Sequence, residues 1–296
     1  MTRTVRYEVE SCVPRSGVCL WVRYHFVLDF DTFSSAREAR AAIDRELDER
    51  PRHQTRFRVV KTVRRPVWRS TRHQLRVSNV VTEAPGVFSI YMSGRDIDQL
   101  AVRSGQYFIW RFLTRDGWWR AHPFSISSAP NGSWLRITIK ELGDWSKALQ
   151  GVRIGTRVFI EGPYGVLTGA RRTHAKVLLL AGGIGITPLR ALFEALPAKR
   201  GDLTLIYRVR DAREIIFRDE IETLAHARGA KVHYIVGKRN GARDQFDATS
   251  LERLVPDVRE RDVYLCGPVP MMQHVERSLR RLGLAQRQIH AERFAY

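Results

Sequence analysis

A glycine-rich segment directly follows the apolar run VLLL and precedes a helical pattern. It reads AGGIGITP and covers residues 181–188. Glycines let backbone N–H groups approach a pyrophosphate closely, and the N-terminus of the following helix favours its negative charge. The segment departs from the dinucleotide pattern G-x-G-x-x-G. Two interpretations therefore stay open, a phosphate-binding turn and a tight strand-to-helix connection.

Two arginines lie at the end of the next strand pattern, LTLIYRVR. If the glycine-rich segment holds a pyrophosphate, Arg208 and Arg210 stand where the ribose of the nucleotide would lie. An arginine suits a 2′-phosphate, whereas an NAD site more often has an acid that accepts from the 2′-hydroxyl. The pattern favours NADPH over NADH. The alternative is that these two side chains only solvate the end of a strand.

A cysteine ends a later strand pattern, RDVYLC, and is followed by Gly267 and Pro268. A lone thiol at such a position is usually inert packing. Cys266 would, however, lie at the same sheet edge as the glycine-rich segment, because the carboxyl ends of parallel strands meet there. Its function depends on that context.

The middle of the chain carries two further segments with candidate ligand-binding side chains. HPFS, residues 122–125, offers an aromatic ring for stacking on a flat ring system and a hydroxyl for hydrogen bonding. KELGDWS, residues 140–146, places a glycine and a serine at the start of a helix, a suitable place for a phosphate. A buried aromatic residue and a helix-capping serine explain the same letters, so the residues alone leave both interpretations open.

The elements that must position these residues follow two different patterns. Between residues 75 and 165, short alternating runs are separated by Pro, Gly, Asn and Asp, which predicts a small antiparallel barrel or sandwich interrupted by one short helix at DWSKALQG. From Lys176 onward, strand and helix patterns alternate, which predicts a parallel doubly wound sheet. Ligands of such sheets bind beyond the carboxyl ends of the strands.

The first 65 residues predict a small ββαβ unit of unknown role. Its strands are VRYEVESC, CLWVRYHFVLDF and RFRVVKTV, and its helix is SSAREARAAIDRELDER. Cys12 and Cys19 are interpreted as small buried apolar residues, with a redox or metal role as the alternative. We expect an α+β N-terminal appendage over residues 1–65, an antiparallel β-barrel over 66–171 and an α/β domain over 172–296.

Composition excludes several classes of protein. The 296 residues are 44% apolar and 27% charged, which is typical of a globular chain and excludes disordered and collagen-like classes. No apolar stretch approaches the roughly 18 residues of a membrane-spanning helix. Three cysteines are too few for a disulfide framework or a four-thiolate cluster, and this favours a reducing cytosol.

The net charge of +19 attracts anionic partners. Between Arg56 and His73 there are seven Lys or Arg residues and no acid. This basic segment is interpreted as a solvated linker. Docking on anionic lipid or an acidic protein is the first alternative, and nucleic-acid binding is the second.

In this order, the segments resemble the ferredoxin–NADP reductase superfamily, in particular the flavin- and NADPH-binding part of ferric reductases and NADPH oxidases. The resemblance runs from Arg72 to the end of the chain at Tyr296. It implies an antiparallel FAD-binding barrel over residues 72–168 and an NADPH-binding domain over 174–296. Many superfamily members have arginine at the position of His122, and histidine is the ferric-reductase-like variant.

The resemblance also assigns roles to single residues. Ser125, Cys266 and Glu292 would align the flavin and nicotinamide rings, and Phe294, with Tyr296 as the alternative, would cover the flavin. The cofactor-binding residues that it implies are His122, Pro123, Phe124, Ser125, Lys140, Gly143, Ser146, Gly182, Gly183, Gly185, Thr187, Arg208, Arg210, Cys266, Gly267, Pro268 and Phe294. No metal ligand is expected.

The function implied is that of an FAD-dependent NADPH:acceptor oxidoreductase. A hydride would pass from NADPH to FAD, and electrons would continue to ferric iron or a ferric chelate, a membrane cytochrome or an acidic redox protein. We expect a cytoplasmic protein without a nucleic-acid partner, and peripheral association with the inner face of an anionic membrane is the alternative. The sequence shows no counterpart of the haem-binding helices of membrane ferric reductases. The alternatives are a truncated membrane reductase and a basic interaction module with a degenerate, inactive reductase fold.

Overall fold

The computed structural model describes residues 73–115, 120–237 and 245–293 with their side chains, and three earlier strands as backbone. The chain divides into two compact units, of which the first ends at Val67 and the second begins at Trp68. The predicted helix at residues 34–50 and most of the basic segment lie outside the described residues. The predicted domain boundaries at residues 65 and 171 stay predictions.

The first unit contains one antiparallel sheet in the order β2-β1-β3. Its strands are β1 (Arg6–Arg15), β2 (Val18–Tyr24) and β3 (Arg56–Thr62). Cys12 and Cys19 lie in the first two strands. The prediction about their side chains lies outside the described residues.

The second unit begins with the antiparallel β-domain that the alternating runs predict. Its strands are β4 (Arg76–Ala84), β5 (Val87–Ser93), β6 (Tyr107–Phe112), β7 (His122–Ser125), β8 (Trp134–Lys140) and β9 (Val158–Tyr164). They form two sheets, β4-β5-β8 and β7-β6-β9. The short predicted helix is α1 (Asp144–Gln150).

The two sheets of this barrel meet at two bridges. Ile126, just after β7, pairs with Ile137 of β8, and Arg76 of β4 pairs with Arg157 next to β9. The space between the sheets is filled by side chains with no solvent exposure, including those of Phe88, Ile90, Phe108, Trp110 and Ile137. The barrel therefore has its own apolar core, and β7 and β8 are neighbours in it.

The rest of the unit is a parallel sheet covered by helices on both faces. The strands are β10 (Lys176–Gly182), β11 (Leu203–Val209), β12 (Lys231–Val236), β13 (Arg261–Cys266) and β14 (Ile289–Glu292), in the order β12-β11-β10-β13-β14. The helices are α2 (Ile186–Ala195), α3 (Arg218–Arg228), α4 (Ala248–Leu254) and α5 (Val269–Arg281). Two apolar clusters result, one under α2 and α3 and the other under α4 and α5.

The strand order places the glycine-rich segment, which follows β10, at the point where the order of the strands reverses. The chain moves outward from β10 to β11 and β12 on one side and returns to β13 and β14 on the other, so the order reverses between β10 and β13. In doubly wound sheets ligands bind at this reversal, beyond the carboxyl ends of the strands. The predicted fold class is confirmed for both domains of the second unit.

Short 3-10 helices connect several of these elements. They cover Ile97–Gln99, Gly169–Arg171, Gly183–Gly185, Ala212–Glu214, Val258–Glu260 and Gln286–Gln288. Among the helices of the described ranges, none has the length and apolar character needed to cross a membrane.

Candidate active site

Strand β7 carries the predicted stacking and hydroxyl residues. The indole nitrogen of Trp110 donates to the carbonyl oxygen of Phe124 at 2.8 Å and fixes β7 against β6. Phe124 is half-buried, whereas Ser125, which pairs with Tyr107 across the strands, is 4% exposed. In the side chains that the structure describes, the Ser125 hydroxyl has no hydrogen-bond partner. Since an unpaired buried hydroxyl costs about 1–3 kcal/mol, a ligand atom that bonds to it would be stabilised.

An aromatic cluster adjoins this strand. The imidazole ring of His122 stacks on the indole of Trp145, with 3.8 Å between centroids and 26° between planes. The ring planes of Phe124 and Trp145 lie within 5° of each other, with centroids 6.1 Å apart. Pro123, between the two β7 rings, is exposed. Trp145 was not predicted as a site residue, although its position in the first turn of α1, beside the predicted glycine and serine, was a usable signal.

The turn that begins α1 is closed by its own serine. The Ser146 hydroxyl accepts from the backbone N–H groups of Leu142 and Gly143 at 3.0 and 3.1 Å and donates to the Gly143 carbonyl at 2.8 Å. No atom lies within 4 Å of the position that a Cβ on Gly143 would occupy. Ser146 therefore shapes the turn, and Gly143 keeps an open surface in front of it. Lys140, at the end of β8, lies 4.0 Å from Glu214 of the parallel domain.

The glycine-rich turn after β10 is packed on one side and open on the other. A Cβ on Gly185 would clash with the carbonyl oxygen of Cys266. A Cβ on Gly183, where φ is +52°, would meet no atom of the described residues within 4 Å beyond its chain neighbours. The Thr187 hydroxyl donates to the Ile184 carbonyl at 3.0 Å and closes the turn. The predicted residues that the fold brings together here are Gly182, Gly183, Gly185, Thr187, Cys266, Gly267 and Pro268.

Cys266 and Glu292 lie opposite each other on neighbouring parallel strands, β13 and β14. Burial, followed by the charge of Glu292, raises the pKa of the Cys266 thiol well above its usual range. Burial also raises the pKa of Glu292 from 4.5 to about 7, and one of its carboxyl oxygens has no hydrogen-bond partner among the described side chains. A raised pKa favours the neutral thiol, which is a much weaker nucleophile than the thiolate.

Gly165 and Tyr107 are the barrel residues that lie beside Glu292. A Cβ on Gly165 would lie 3.1 Å from a carboxyl oxygen of Glu292 and 3.2 Å from the Tyr107 ring. Burial raises the pKa of the Tyr107 phenol, and Glu292 raises it further. Because Tyr107 pairs with Ser125, the predicted residues Ser125, Cys266 and Glu292 lie around one junction between the barrel and the parallel domain. Tyr107 and Gly165 were not predicted, since their role depends on contacts between distant segments.

The two predicted phosphate-recognition arginines lie at the end of β11. A guanidinium nitrogen of Arg208 donates to the Gly237 carbonyl at 3.3 Å, and Arg210 is exposed. The backbone N–H of Arg210 donates to the Glu214 carboxylate at 3.3 Å, so an acid also occupies this strand end. The predicted flavin-covering residue, Phe294, lies outside the described residues.

These features fit the two cofactors that the sequence implies. The buried, unpartnered hydroxyl of Ser125 beside a half-buried aromatic ring suits a flat ring system with hydrogen-bonding atoms, as in a flavin. The open surface at Gly183, directly before α2, suits a pyrophosphate. No group of three or more His, Cys, Asp or Glu side chains is arranged for a metal ion in the part of the chain that the structure describes.

Comparison with protein families agrees with both domains. Residues 72–168 match the family model described as FAD-binding domain, and residues 179–277 match the one described as oxidoreductase NAD-binding domain. Among solved structures, the ferredoxin NADP+ reductase from Neisseria gonorrhoeae with bound FAD and NADP superposes with a TM-score of 0.63. It covers 74% of this chain and 98% of that one, at 19% identity, and supports the fold.

Two curated relatives show the same organisation at the level of sequence. The glycine betaine monooxygenase reductase subunit of Chromohalobacter salexigens is 28% identical over 243 residues, covering 77% of this chain and 65% of the relative. The flavohemoprotein of Pseudomonas aeruginosa is 33% identical over 238 residues, covering 77% and 60%. The chain thus spans less than two thirds of either relative. An FAD-binding domain is followed by an NAD-binding domain, and both domains match family models of this kind. The chain therefore belongs to the ferredoxin–NADP reductase superfamily.

Proposed function

We propose that this chain is an FAD-dependent NADPH:acceptor oxidoreductase that transfers a hydride from NADPH to FAD and passes electrons on to a separate acceptor. The observation that supports this most is the junction between the barrel and the nucleotide domain, where Tyr107, the strand partner of Ser125, and Glu292, the strand partner of Cys266, both lie beside Gly165. FAD, when bound, supplies the change from two-electron to one-electron chemistry. The polypeptide would position the two cofactors and set the electrostatic environment around them.

Each residue of the junction has a role that its surroundings support. The free hydroxyl of Ser125 would hydrogen-bond the flavin and orient it. The buried Cys266 thiol, neutral at physiological pH, would pack against the nicotinamide without bonding to it covalently. Glu292, with a pKa of about 7, would hold a proton near the reacting rings at neutral pH. None of these roles requires a charged or covalent intermediate on the protein.

Anaerobic stopped-flow reduction of the FAD-loaded protein by NADPH tests this proposal. Ser125→Ala and Cys266→Ala should slow flavin reduction more than they weaken NADPH binding, since misplacing reacting groups by about 1 Å can cost roughly a hundredfold in rate. Ser133→Ala, at an exposed loop serine, is the matched control and should react at the wild-type rate. A protein that binds no FAD, or whose FAD NADPH cannot reduce, would refute the proposal and favour an inactive interaction module.

A preference for NADPH over NADH is proposed from Arg208 and Arg210 at the end of β11. The carboxylate of Glu214, held by the Arg210 backbone, opposes this preference because an acid there repels a 2′-phosphate and accepts from a ribose hydroxyl. Neutral residues at both arginines should raise the KM for NADPH and leave that for NADH nearly unchanged. Glu214→Gln should shift the ratio towards NADPH. Equal effects of the double arginine change on the two nucleotides would exclude the arginines from recognition of the 2′-phosphate.

The acceptor is proposed to be ferric iron, as a free ion or chelate, or a redox partner such as a membrane cytochrome or an acidic carrier protein. The relative from Chromohalobacter salexigens is by name the reductase subunit of a monooxygenase, which supports a protein acceptor. The net charge of +19 supports an acidic one. Steady-state assays with ferric citrate and with an acidic ferredoxin distinguish the two classes. Only the rate of reduction of the protein acceptor should fall steeply as the salt concentration rises, because salt screens the attraction between the oppositely charged proteins.

A further inference from the structure

A buried arginine of the barrel is bound by a glutamate of the nucleotide domain. Arg136 of β8 is 2% exposed, and its guanidinium donates to both carboxylate oxygens of Glu220 in α3, at 2.7 and 3.0 Å. The remaining N–H groups donate to Tyr91 Oη at 3.2 Å, Ser127 Oγ at 3.1 Å and the Ser127 carbonyl at 2.8 Å. All five N–H donors of the guanidinium are therefore used. Lysine cannot reproduce this planar arrangement.

Glu220 also binds a second arginine, so the Arg136–Glu220 ion pair is part of a larger ion cluster. Arg190 of α2 is 7% exposed and lies 2.8 Å from a carboxylate oxygen of Glu220. Arg190 also pairs with Glu194, one turn further along α2. Glu194 accepts a hydrogen bond at 2.8 Å from the backbone N–H of Ala129, in the barrel loop after β7. The ion cluster is thus attached to the barrel at two points, Arg136 and Ala129.

The residue before α3 has an unusual backbone conformation, and its side-chain ring lies against the same arginine. Phe217, the N-cap of α3, has φ +59° and ψ 22°, in the left-handed region that bulky residues rarely adopt. Its ring centroid lies 4.5 Å from the guanidinium carbon of Arg136, within the range of cation–π attraction. Such a conformation persists only when its surroundings determine it. Here the surroundings are the apolar cluster in which Phe217 is buried and the guanidinium of Arg136, which Glu220 binds three residues later.

The cluster adjoins both halves of the candidate active site. Ser127, which accepts two of the Arg136 hydrogen bonds, is two residues beyond Ser125. Arg190 lies on α2, which begins directly after the glycine turn, and β8 itself packs against that turn. We therefore expect a change in the cluster to alter the position of the turn relative to the serine. An exposed ion pair elsewhere on the domain would have no such effect.

We infer that Arg136, Arg190, Glu194, Phe217 and Glu220 form an interdomain clamp that fixes the nucleotide domain against the flavin barrel, and that Arg136 and Glu220 are positioning residues for hydride transfer. The inference rests on the proposed function for its catalytic part. None of the five clamp residues is among the predicted cofactor-binding residues. It acts by holding Ser125 and the glycine turn in one geometry, where an error of about 1 Å costs roughly a hundredfold in rate.

Glu220→Gln and Arg136→Lys test the clamp in the full-length, FAD-loaded protein. Each removes the two-pronged ion pair while keeping a polar side chain of similar size. Glu252→Gln is the matched control, because Glu252 forms an ordinary exposed pair with Arg259 at 3.0 Å within the nucleotide domain. The measurements are FAD content, flavin reduction by dithionite, flavin reduction at saturating NADPH, and hydrogen exchange of the peptide containing Ala129.

The two clamp variants should keep wild-type FAD content and dithionite reduction. Their reduction at saturating NADPH should fall on the order of a hundredfold, with little change in the Kd for NADPH. The Ala129 peptide should exchange faster, because its N–H loses the Glu194 acceptor when the domains separate. The double variant should lose little more than the larger single effect, since both changes break one contact.

Wild-type NADPH reduction rates in both clamp variants would overturn the positioning role, and an unchanged Ala129 exchange rate would overturn the clamp. If one variant fails to fold, the other carries the same comparison. If the wild-type flavin is not reduced by NADPH at all, the proposed function is wrong. The exchange measurement, which needs no nucleotide, then still tests the clamp.

Discussion

Replacing Glu292 by glutamine should change how the stability of the protein depends on pH. Burial raises the pKa of the folded carboxyl from 4.5 to about 7. The folded state therefore holds the proton more tightly than the unfolded state, and the free energy of unfolding should fall as pH rises from about 4.5 through about 7. At about 1.4 kcal/mol for each pH unit, this pKa difference corresponds to a loss of about 3 kcal/mol.

Urea unfolding of the wild-type protein and of Glu292→Gln at pH 5 and pH 8 measures this effect. Glutamine has nearly the same shape and no charge at either pH. Because pH 5 already lies above the unfolded pKa, the variant should gain about 2.5 kcal/mol relative to the wild type between the two values. The thiol of Cys266 and the phenol of Tyr107, which face Glu292, both have raised pKa values, stay neutral throughout and cancel in the comparison. Parallel loss of stability in the two proteins would show that the carboxyl is not held in a desolvated site.

Three further outcomes are expected. Phe124→Ala combined with Ser146→Ala should release most FAD, because ring stacking and the hydrogen bonds of the α1 turn each contribute on the order of 1 kcal/mol; unchanged flavin absorbance after gel filtration would contradict this. Gly185→Ala should lower the melting temperature through its clash with the Cys266 carbonyl, whereas Gly183→Ala should fold and lose affinity for NADPH; equal melting temperatures would contradict the packing. Deleting residues 1–70 should abolish salt-sensitive binding to anionic vesicles and leave NADPH oxidation with an artificial acceptor intact; vesicle sedimentation that is unaffected by the deletion would exclude that segment as the docking site.

The order and type of the elements in the second unit were predictable because each carries a clear local signal. Strand β10 is a continuous apolar run that ends in glycines, and α2 follows with helical spacing from Ile186 to Ala195. The turn between β4 and β5 contains Gly86, where φ is +68°. Local propensity and long-range packing agree throughout this region, which is the condition for a reliable prediction. The parallel order of the sheet followed from the alternation of strands and helices.

The contacts between the two domains were not predictable by the same route. Arg136 and Glu220 are 84 positions apart and have no spacing that links them. Among 50 basic and 31 acidic residues, nothing in the sequence marks this pair. The serine of the α1 turn and Thr187 were expected as ligands, and the structure shows that their hydroxyls also bond to neighbouring backbone atoms. Hydroxyl side chains close such turns in many proteins, so their type alone does not separate the two roles.

Strand β8 belongs to the barrel by its hydrogen bonds and its apolar side chains, and two of its charged side chains bind the nucleotide domain. Its backbone pairs with β5, while Arg136 and Lys140 reach Glu220 and Glu214 across the domain boundary. The reductase is therefore not a pair of interchangeable modules. A chimera that joins this barrel to the nucleotide domain of a relative must take β8 and the segment from Glu214 to Glu220 from one parent. Recombination at residue 171, the predicted boundary between the two domains, should preserve both folds and lose the fit between them.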